Sequence, residues 1–508
     1  MFTILSKVFY QLIIFIIFTI NQYRNIVKSL ILLSVIGFIC LNLYFYWKDT
    51  VPIVYAKLKD INETTRNLSP STPYPKKRRK SMECPSELWN QVHTDIVPNE
   101  DLHLDWIQKN ISRRDNIMES QIRLLTAFVY PDHISITTTS QRSFGQNVSC
   151  MYYDCLREEI ENSRYESVFF PMNVIRCPRR IGAKYVSIGL EENGNGPKTQ
   201  EPIPMIYRNF ETPPHQISVC VGPIYGLENR WLQVAEFIEH YKLIGVRHFY
   251  FTIFNINEYG RKILDEYQRT GEIELTVIQS EYQNVDWQFH LLQINECHQR
   301  SKHHSKWVIN VDIDERLVIL DPKIKSVLEL LNGYNDTVGE VGFAIRRIQK
   351  TGQLPEKYES EEQILSEMEF LKYNVSSPVT WGAYKTIYRP EKIAAMYYHW
   401  AYQRYPGTVA EYVKSDVALI RHYRTTESNI LGSGWLSDPN YASFSIVPIE
   451  DPKFGEKLAK AVLEKIKYVY DQRDLNCEEI AEVPYQEYKE FGHDIFNCRF
   501  RNETGDKR

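Results

Sequence analysis

The chain has 508 residues, a formal net charge of −4 and 24% charged side chains. This length exceeds what a single hydrophobic core serves, so we expect two or more folded units. The hydrophobic share of 43% excludes a mainly disordered chain, and the small net charge gives no indication of a nucleic-acid partner.

An apolar stretch near the N-terminus predicts a membrane anchor. Residues 29–47 contain no charged side chain, and about 20 such residues span a bilayer. Tyr44, Tyr46 and Trp47 at its end are typical of a membrane–water interface. An earlier apolar run, residues 8–20, is too short to span. We therefore expect a cytosolic tail at residues 1–28 and a single transmembrane signal-anchor at residues 29–47.

Basic residues flank both ends of this anchor, so its charges do not indicate its orientation. We infer the orientation from features that follow the anchor. Eight of the nine cysteines lie after the span, and an even number suits disulfides in an oxidising lumen. Their pairing stays open, and buried free thiols are the alternative. Seven glycosylation sequons also lie after the span. They are at Asn62, Asn67, Asn110, Asn147, Asn335, Asn374 and Asn502. We expect a type II protein with a luminal main part.

Two regions separate the anchor from the first regular alternation of strands and helices. Residues 48–83 are rich in proline and carry the basic run 76–80, which is typical of an extended stem. The basic run is either a protease site or simply a solvated charge cluster. Residues 84–215 include predicted strands at 123–130 and 134–138 and a loop at 193–197, and we interpret them as an accessory β-rich region.

From residue 216 the pattern alternates between strands and helices. Predicted strands at 217–223, 248–254 and 274–278 are separated by helices at 230–244, 263–270 and 285–301. Such alternation is typical of a parallel sheet with crossover helices. We therefore predict an α/β domain at residues 216–460, followed by a C-terminal extension at 461–508.

The next predicted strand, 307–311, ends in the carboxylates Asp312, Asp314 and Glu315. Ligands of open α/β sheets bind at the carboxyl ends of strands. Two aspartates spaced two apart would share one face of a regular strand, and such hard oxygen ligands suit Mg²⁺ or Mn²⁺. A divalent ion held there could clamp the diphosphate of a nucleotide. Solvated turn or capping residues are the common alternative for an Asp-x-Asp pair.

The run 219–424 resembles glycosyltransferase family 92, and the likeness rests on five ordered blocks. These are residues 236–250, 293–297, 305–315, 385–390 and 422–424. The resemblance implies a GT-A-type, Rossmann-like fold and an inverting, Mn²⁺- or Mg²⁺-dependent transfer. It also implies a UDP-sugar donor, UDP-galactose in relatives, a glycan acceptor such as a fucosylated N-glycan, and a Golgi location. One departure is that Glu228-Asn229 stands where the family usually has Asn-Glu.

The resemblance extends to individual residues of the donor side. Asp314 and His422 are expected to ligate the metal. Asp312 is expected at the metal or at the ribose, and Lys385 and Arg389 near the diphosphate. The alternatives are a structural histidine for His422 and solvated basic side chains for Lys385 and Arg389.

The acceptor side is less defined. Glu315, His399 and Trp400 are candidates for acceptor binding, and aromatic core packing is the alternative for His399 and Trp400. Inversion requires a general base to take the proton of the attacking hydroxyl. The sequence offers four carboxylates for that role without ranking them: Glu359, Glu361, Glu362 and Asp416.

We therefore predict a membrane-anchored transferase that moves a hexose, galactose first, from a UDP donor to a glycan hydroxyl. A transferase that uses another UDP-sugar is one alternative, and a catalytically inactive, lectin-like ectodomain is the other. The sequence does not indicate an oligomeric state.

Overall fold

The computed structural model describes residues 91–99, 122–139, 145–170, 173–191, 197–226, 228–278, 287–425, 445–446 and 452–471, all within one compact unit. The predicted tail, anchor and stem lie outside these residues. Within them, no helix is both long and apolar enough to cross a bilayer.

Eight strands between residues 124 and 207 form an accessory sheet. They are β1 Leu124–Val129, β2 His133–Thr138, β3 Asn147–Tyr153, β4 Tyr165–Val168, β5 Val174–Pro178, β6 Tyr185–Glu191, β7 Pro197–Thr199 and β8 Ile203–Tyr207. Their order is β4-β3-β6-β8-β1-β2-β5, with β7 on β6. The Cys150–Cys177 disulfide and a hydrogen bond from Ser167 Oγ to the Arg176 carbonyl (2.6 Å) join strands from opposite ends of this order. The sheet therefore curls around its own apolar core.

The first half of the main sheet is parallel. Its elements are β9 His215–Ile224, α1 Trp231–Leu243, β10 His248–Ile253, α2 Glu258–Arg269, β11 Ile273–Val277, α3 Trp287–Ser301 and β12 Ser305–Val311. The strands lie in the order β11-β10-β9-β12, and all neighbouring pairs are parallel. The predicted alternation of strands and helices is confirmed. Its cause is local, because strands buried on both faces are almost wholly apolar and the helices repeat apolar residues every three or four positions.

The second half adds antiparallel and short elements. They are β13 Glu315–Ile319, α4 Val327–Leu331, β14 Val338–Lys350, α5 Glu361–Glu367, α6 Glu369–Lys372, β15 Val375–Ser376, β16 Thr380–Tyr388, β17 Ile393–Met396, β18 Ala401–Arg404, β19 Val409–Val413, β20 Ala418–Thr425, β21 Ser445–Ile446 and α7 Pro452–Tyr470. The main sheet continues from β12 through β16, β14, β15 and β21. β19 and β20 also pair with β14, β13 pairs with β20, and β17 and β18 form a separate hairpin. The described chain is thus a sheet-rich, mixed α/β structure.

Helix α3 connects the two sheets. Ser135 Oγ of β2 donates to Gln299 Oε1 (2.8 Å), and Thr126 Oγ1 of β1 donates to Glu296 Oε1 (3.2 Å). On its other side, the Cys220–Cys297 disulfide ties α3 to β9. Cys155 is also disulfide-bonded. Because α3 bonds to the accessory sheet on one side and to β9 on the other, both sheets pack against the same helix.

Several predicted boundaries differ from the structure. β9 continues through the Gly222-Pro223 pair that we took as its end. α2 begins five residues before the predicted start at 263, because the Asn257 side chain caps it by accepting from Gly260 N (2.6 Å). The predicted domain boundary at residue 460 falls inside α7, whose Val462 and Ile466 are fully buried in the main core.

The glycosylation prediction stays untested, but three of its asparagines lie among the described residues. Asn147, Asn335 and Asn374 are all exposed. The asparagines at 62, 67, 110 and 502 lie outside the described part of the chain, as does most of the predicted loop 193–197.

Candidate functional site

The three carboxylates predicted from the sequence lie in a tight turn between β12 and β13, which we call the acidic turn (residues 312–315). β12 ends at Val311, the predicted end of this strand. Asp312 and Asp314 therefore lie in a turn, and the expectation for a regular strand, that they share one face, does not apply to them. Glu315 N donates to the Asp312 carbonyl (3.0 Å), and Asp312 N donates to Glu315 Oε2 (2.8 Å). Glu315 therefore closes the turn with both its main chain and its side chain.

Lys385 of β16 neutralises the inner side of the acidic turn. Its Nζ lies 2.9 Å from Asp312 Oδ2 and 3.1 Å from Glu315 Oε2, and its side chain is 2% exposed. Burial by itself would raise the pKa of Asp312, but the ammonium of Lys385 and the nearby His290 hold that pKa well below its usual value. Burial raises the pKa of Glu315, and Lys385 opposes this only in part.

His422 reaches the acidic turn through strand register. β13 and β20 are antiparallel, and Glu315 lies directly opposite His422. His422 Nε2 lies 3.5 Å from Asp314 Oδ2, and His422 Nδ1 lies 3.2 Å from Glu315 Oε1. Burial opposes ionisation of Asp314, yet the neighbouring imidazole outweighs it and lowers the pKa of Asp314 to about 2.

The pair of Asp314 and His422 fits a divalent cation. His422 Nε2 is buried and makes no hydrogen bond, which is costly for a polar atom unless a ligand uses it. Two ligands of an octahedral ion about 2.1 Å from each lie roughly 3 Å apart, close to the 3.5 Å seen here. A carboxylate with a neutral imidazole suits Mn²⁺. Asp312 fits less directly, since Lys385 and His290 already occupy its oxygens.

Two residues of the site were missed by sequence reasoning. His290 of α3 places Nε2 3.3 Å from Asp312 Oδ1, and nothing in the local pattern indicates that approach. Gly222 of β9 faces Asp312 so closely that an added Cβ would collide with Asp312 Oδ1. A glycine inside a strand is a signal of close approach, and we interpreted it only as a strand end.

The three acceptor candidates lie in two different parts of the structure. Glu315 has no exposed side-chain surface, so the structure does not place it where an acceptor could reach. His399 and Trp400 lie in the β17–β18 hairpin. His399 accepts through its carbonyl from Thr386 Oγ1 (3.0 Å), and burial, with the nearby charge of Lys385, lowers the pKa of its ring to about 3.

Arg389 is not brought to the acidic turn. It follows β16, which runs antiparallel to β12 with Val308 opposite Tyr388. Its guanidinium lies over Trp307 at 4.3 Å and pairs with Asp336 at 2.8 Å. Because strands rise about 3.3 Å per residue, it lies about 13 Å along the strand from Lys385. The structure therefore gives no support to a donor-binding role for Arg389.

The four candidates for the general base are exposed and lie on the outside of the fold. Glu361 pairs with Lys467 of α7, and Asp416 lies in the turn that precedes β20. Among the contacts of the described residues, none joins these carboxylates to the acidic turn. The base stays unassigned. The four candidates are Glu359, Glu361, Glu362 and Asp416.

The opposite edge of the main sheet holds a second group of potential ligands. His215, His248 and His304 lie at the amino ends of β9, β10 and β12, with ligand atoms within 4.8 Å of one another. The rings of His215 and His248 stack in parallel (4.1 Å, 10°), so their lone pairs do not converge. The neighbouring Glu274 is paired with Arg208 at 2.6 Å. His248 Nε2 and His304 Nδ1 lie 3.4 Å and 3.7 Å from Glu274 Oε1. This arrangement fits a packing contact between strand ends better than a cation site.

Comparison with known proteins supports the family assignment. Residues 215–456 match the model of glycosyltransferase family 92, and no curated protein matches the chain. Among solved structures, Lactobacillus rhamnosus β-glucuronidase matches at 14% identity and a TM-score of 0.15, over 36% of each chain. The apo β-glucuronidase of Ruminococcus gnavus matches at 14% identity and a TM-score of 0.14, over 38% of this chain and 37% of that chain.

These structural likenesses are too low to carry an argument about fold or function, and the chain spans little more than a third of the proteins concerned. The family match, in contrast, covers β9 to the start of α7 and contains the acidic turn, Lys385 and His422. It confirms the resemblance found in the five sequence blocks. The chain thus carries a glycosyltransferase family 92 domain over residues 215–456.

Proposed function

We propose that this glycosyltransferase transfers galactose from UDP-galactose to a glycan hydroxyl, with inversion and with the help of a divalent cation. The observation that carries the proposal is the pair of Asp314 Oδ2 and the unbonded His422 Nε2, 3.5 Å apart at the carboxyl edge of the main sheet. That edge is where α/β sheets bind their ligands. The donor sugar rests on the family resemblance.

The strand order supports a GT-A-type fold. Four parallel strands in the order β11-β10-β9-β12 are followed by antiparallel β16. β9 lies between β10 and β12, so the chain changes direction across the sheet beside β9. A crevice at such a switch point is the usual nucleotide site, and the acidic turn lies at its border.

We assign a distinct role to each residue of the site. Asp314 and His422 would hold Mn²⁺ or Mg²⁺, which supplies positive charge for the diphosphate leaving group. Lys385 holds Asp312 in place through a 2.9 Å ion pair. Lys385 and His290 together would fix the position of the Asp312 carboxylate beside the donor. A carboxylate outside this group would take the proton of the acceptor hydroxyl.

The cellular setting is part of the same proposal. The apolar run 29–47 and the sequons after it favour a single-pass type II protein of the Golgi membrane with a luminal domain. The exposed positions of Asn147, Asn335 and Asn374 are compatible with N-glycosylation. Digestion of the secretory-pathway protein with an endoglycosidase would test this, and an unchanged mass would contradict it.

The test of the chemistry uses Asp314→Asn and His422→Ala in the purified full-length protein. Both variants should lose UDP release from UDP-galactose and weaken Mn²⁺ binding, measured separately by titration calorimetry. Asp265→Asn, an exposed aspartate of α2, is the matched control. Wild-type transfer and Mn²⁺ affinity in Asp314→Asn would refute the metal role.

The alternatives differ in their readouts. A panel of UDP-sugars separates galactose from other donors, since only the true donor gives UDP release. A catalytically inactive, lectin-like domain would bind glycan and release no UDP with any donor. The intact set of Asp312, Asp314 and His422 favours the enzyme over that alternative.

A further inference from the structure

A group of six aromatic side chains, four exposed and two half-buried, lies on β16, β19 and the β17–β18 hairpin. We call it the aromatic strip. It consists of Trp381, Tyr384, Tyr397, Trp400, Tyr402 and Tyr412.

We propose that the aromatic strip binds the acceptor as an extended oligosaccharide, through stacking of sugar rings on its aromatic faces. The inference rests on the proposed function and names its substrate class: a chain of several sugars rather than a single monosaccharide. It assigns a binding role to residues well outside the group that would hold the donor.

The rings of the strip form a continuous series of contacts. Trp381 meets Tyr412 at 5.7 Å between ring centroids, Tyr412 meets Tyr384 at 5.5 Å, and Tyr384 stacks on Trp400 at 5.1 Å with an interplanar angle of 19°. Trp400 in turn lies 5.9 Å from Tyr397. Only Tyr384 and Trp400 are close to parallel, since Trp381 and Tyr384 meet Tyr412 at 81° and 73°. The spacing between successive rings is similar to the size of a sugar ring, so an extended ligand would meet ring faces and ring edges in turn.

The strip reaches the candidate site without a gap. Tyr398 contacts Tyr397 at 4.6 Å on one side and His290 at 5.3 Å on the other. His290 Nε2 is 3.3 Å from Asp312 Oδ1. Trp400 also follows His399 directly in sequence. An acceptor lying along the strip would therefore have one end beside the acidic turn.

The exposure of these rings is unusual for core residues. Trp381 is 42% exposed, Tyr402 52% and Tyr412 55%. Large apolar groups that remain in contact over an exposed surface commonly mark a binding site. Tyrosine and tryptophan also combine an apolar face with a polar edge, which matches a sugar ring, with its C–H face and its hydroxyl rim.

A glycine beneath the strip permits the ring positions. Gly342 of β14 lies under both Tyr412 and Tyr384, and an added Cβ would meet Tyr412 at 2.7 Å and Tyr384 at 3.2 Å. β14 pairs with both β16 and β19 here. The missing side chain lets the two rings lie close against the sheet.

The charge around the strip favours a neutral ligand. The strip itself contains no ionisable side chain other than tyrosine. The neighbouring Arg404 is paired with Glu340 at 2.7 Å. An anionic membrane surface attracts clusters of basic residues, which the strip does not offer. A neutral oligosaccharide fits this surface better.

The test measures binding without catalysis, on the full-length protein in detergent. The probes are neutral N-glycan oligosaccharides and the methyl glycosides of galactose, fucose and N-acetylglucosamine. Trp381→Ala and Tyr412→Ala should each raise the oligosaccharide Kd about tenfold, as expected for loss of one stacked ring. Tyr412→Phe should retain most of the affinity. Tyr468→Ala, an equally exposed tyrosine (52%) on α7, is the matched control.

The two proposals fail in different ways. UDP release from the donor alone should be unchanged in Trp381→Ala and Tyr412→Ala, while the KM for the oligosaccharide rises with its Kd. Loss of oligosaccharide binding in the variants would support the strip even if no donor gave UDP release in the wild type. Unchanged oligosaccharide affinity in both variants would overturn it. So would equal wild-type affinity for the methyl glycosides, or a variant effect confined to self-association in sedimentation.

Discussion

Replacement of Lys385 by methionine tests the charge balance beneath the acidic turn. The ammonium of Lys385 lies 2.9 Å from Asp312 and 3.1 Å from Glu315, and the lysine and Glu315 side chains are 2% and 0% exposed. Methionine conserves the length of the side chain and removes its charge. The buried carboxylate of Glu315 and the partly exposed carboxylate of Asp312 then lose the cation between them.

The expected cost can be bounded. Removing one partner of a buried ion pair typically destabilises a protein by about 3–5 kcal/mol. Asp312 is 27% exposed and keeps His290 beside it. Glu315 already has a raised pKa because it is buried, so it can take up a proton at modest cost. We therefore expect the free energy of unfolding to fall by about 3 kcal/mol, the lower end of that range.

Urea unfolding monitored by tryptophan fluorescence measures this loss. Lys306→Met, an exposed lysine on the adjacent strand β12, is the control and should cost less than about 0.5 kcal/mol. Adding Glu315→Gln to Lys385→Met should recover part of the stability, since one of the two unpaired carboxylates is then neutral. A loss below about 1 kcal/mol in Lys385→Met would refute the buried charge network, because surface ion pairs are worth that little.

Three further predictions concern the surroundings of the site. Joint replacement of Cys220 and Cys297 by alanine should lower the free energy of unfolding by about 4.5 kcal/mol, since their disulfide closes a loop of 77 residues; an unchanged urea midpoint would contradict this. His298 is fully buried, and burial lowers the pKa of its ring from the ordinary value of 6.5 to about 3. Between these two pH values, His298 is protonated in the unfolded chain but not in the folded chain. Stability should therefore fall as the pH drops from 6.5 towards 3, by about 1.4 kcal/mol from this group at pH 5.5; His298→Gln should remove that part of the slope in acid titrations of stability. Gly222→Ala should displace Asp312 and weaken Mn²⁺ binding in calorimetry, and a wild-type affinity would argue against the close approach.

Sequence reasoning predicted well what local patterns determine. The buried run before Asp312 and the apolar spacing of α1 produced elements within one or two residues of those observed. Both are encoded by neighbours along the chain, where the periodicities of strands and helices are explicit. The start of α2 was missed because a side-chain cap, Asn257, fixes it rather than an apolar repeat.

The site was harder to predict, because long-range packing assembles it. His422 was named from the family resemblance, and its approach to Asp314 depends on the register between β13 and β20. His290 is brought to Asp312 by the docking of α3, which no spacing along the sequence encodes. Arg389 was grouped with Lys385 through the family resemblance, although it lies four residues farther along the strand and therefore near the other end of β12.

The sharing of α3 between the two sheets bears on how this protein can be divided. The family match begins at residue 215, so a truncation at that point would look natural. In such a fragment, Glu296 and Gln299 would lose their hydrogen-bond partners on β1 and β2. The side of α3 that carries these two residues would be exposed to solvent. The smallest piece able to stand alone is therefore larger than the homologous segment, and expression trials ought to begin upstream of the accessory sheet.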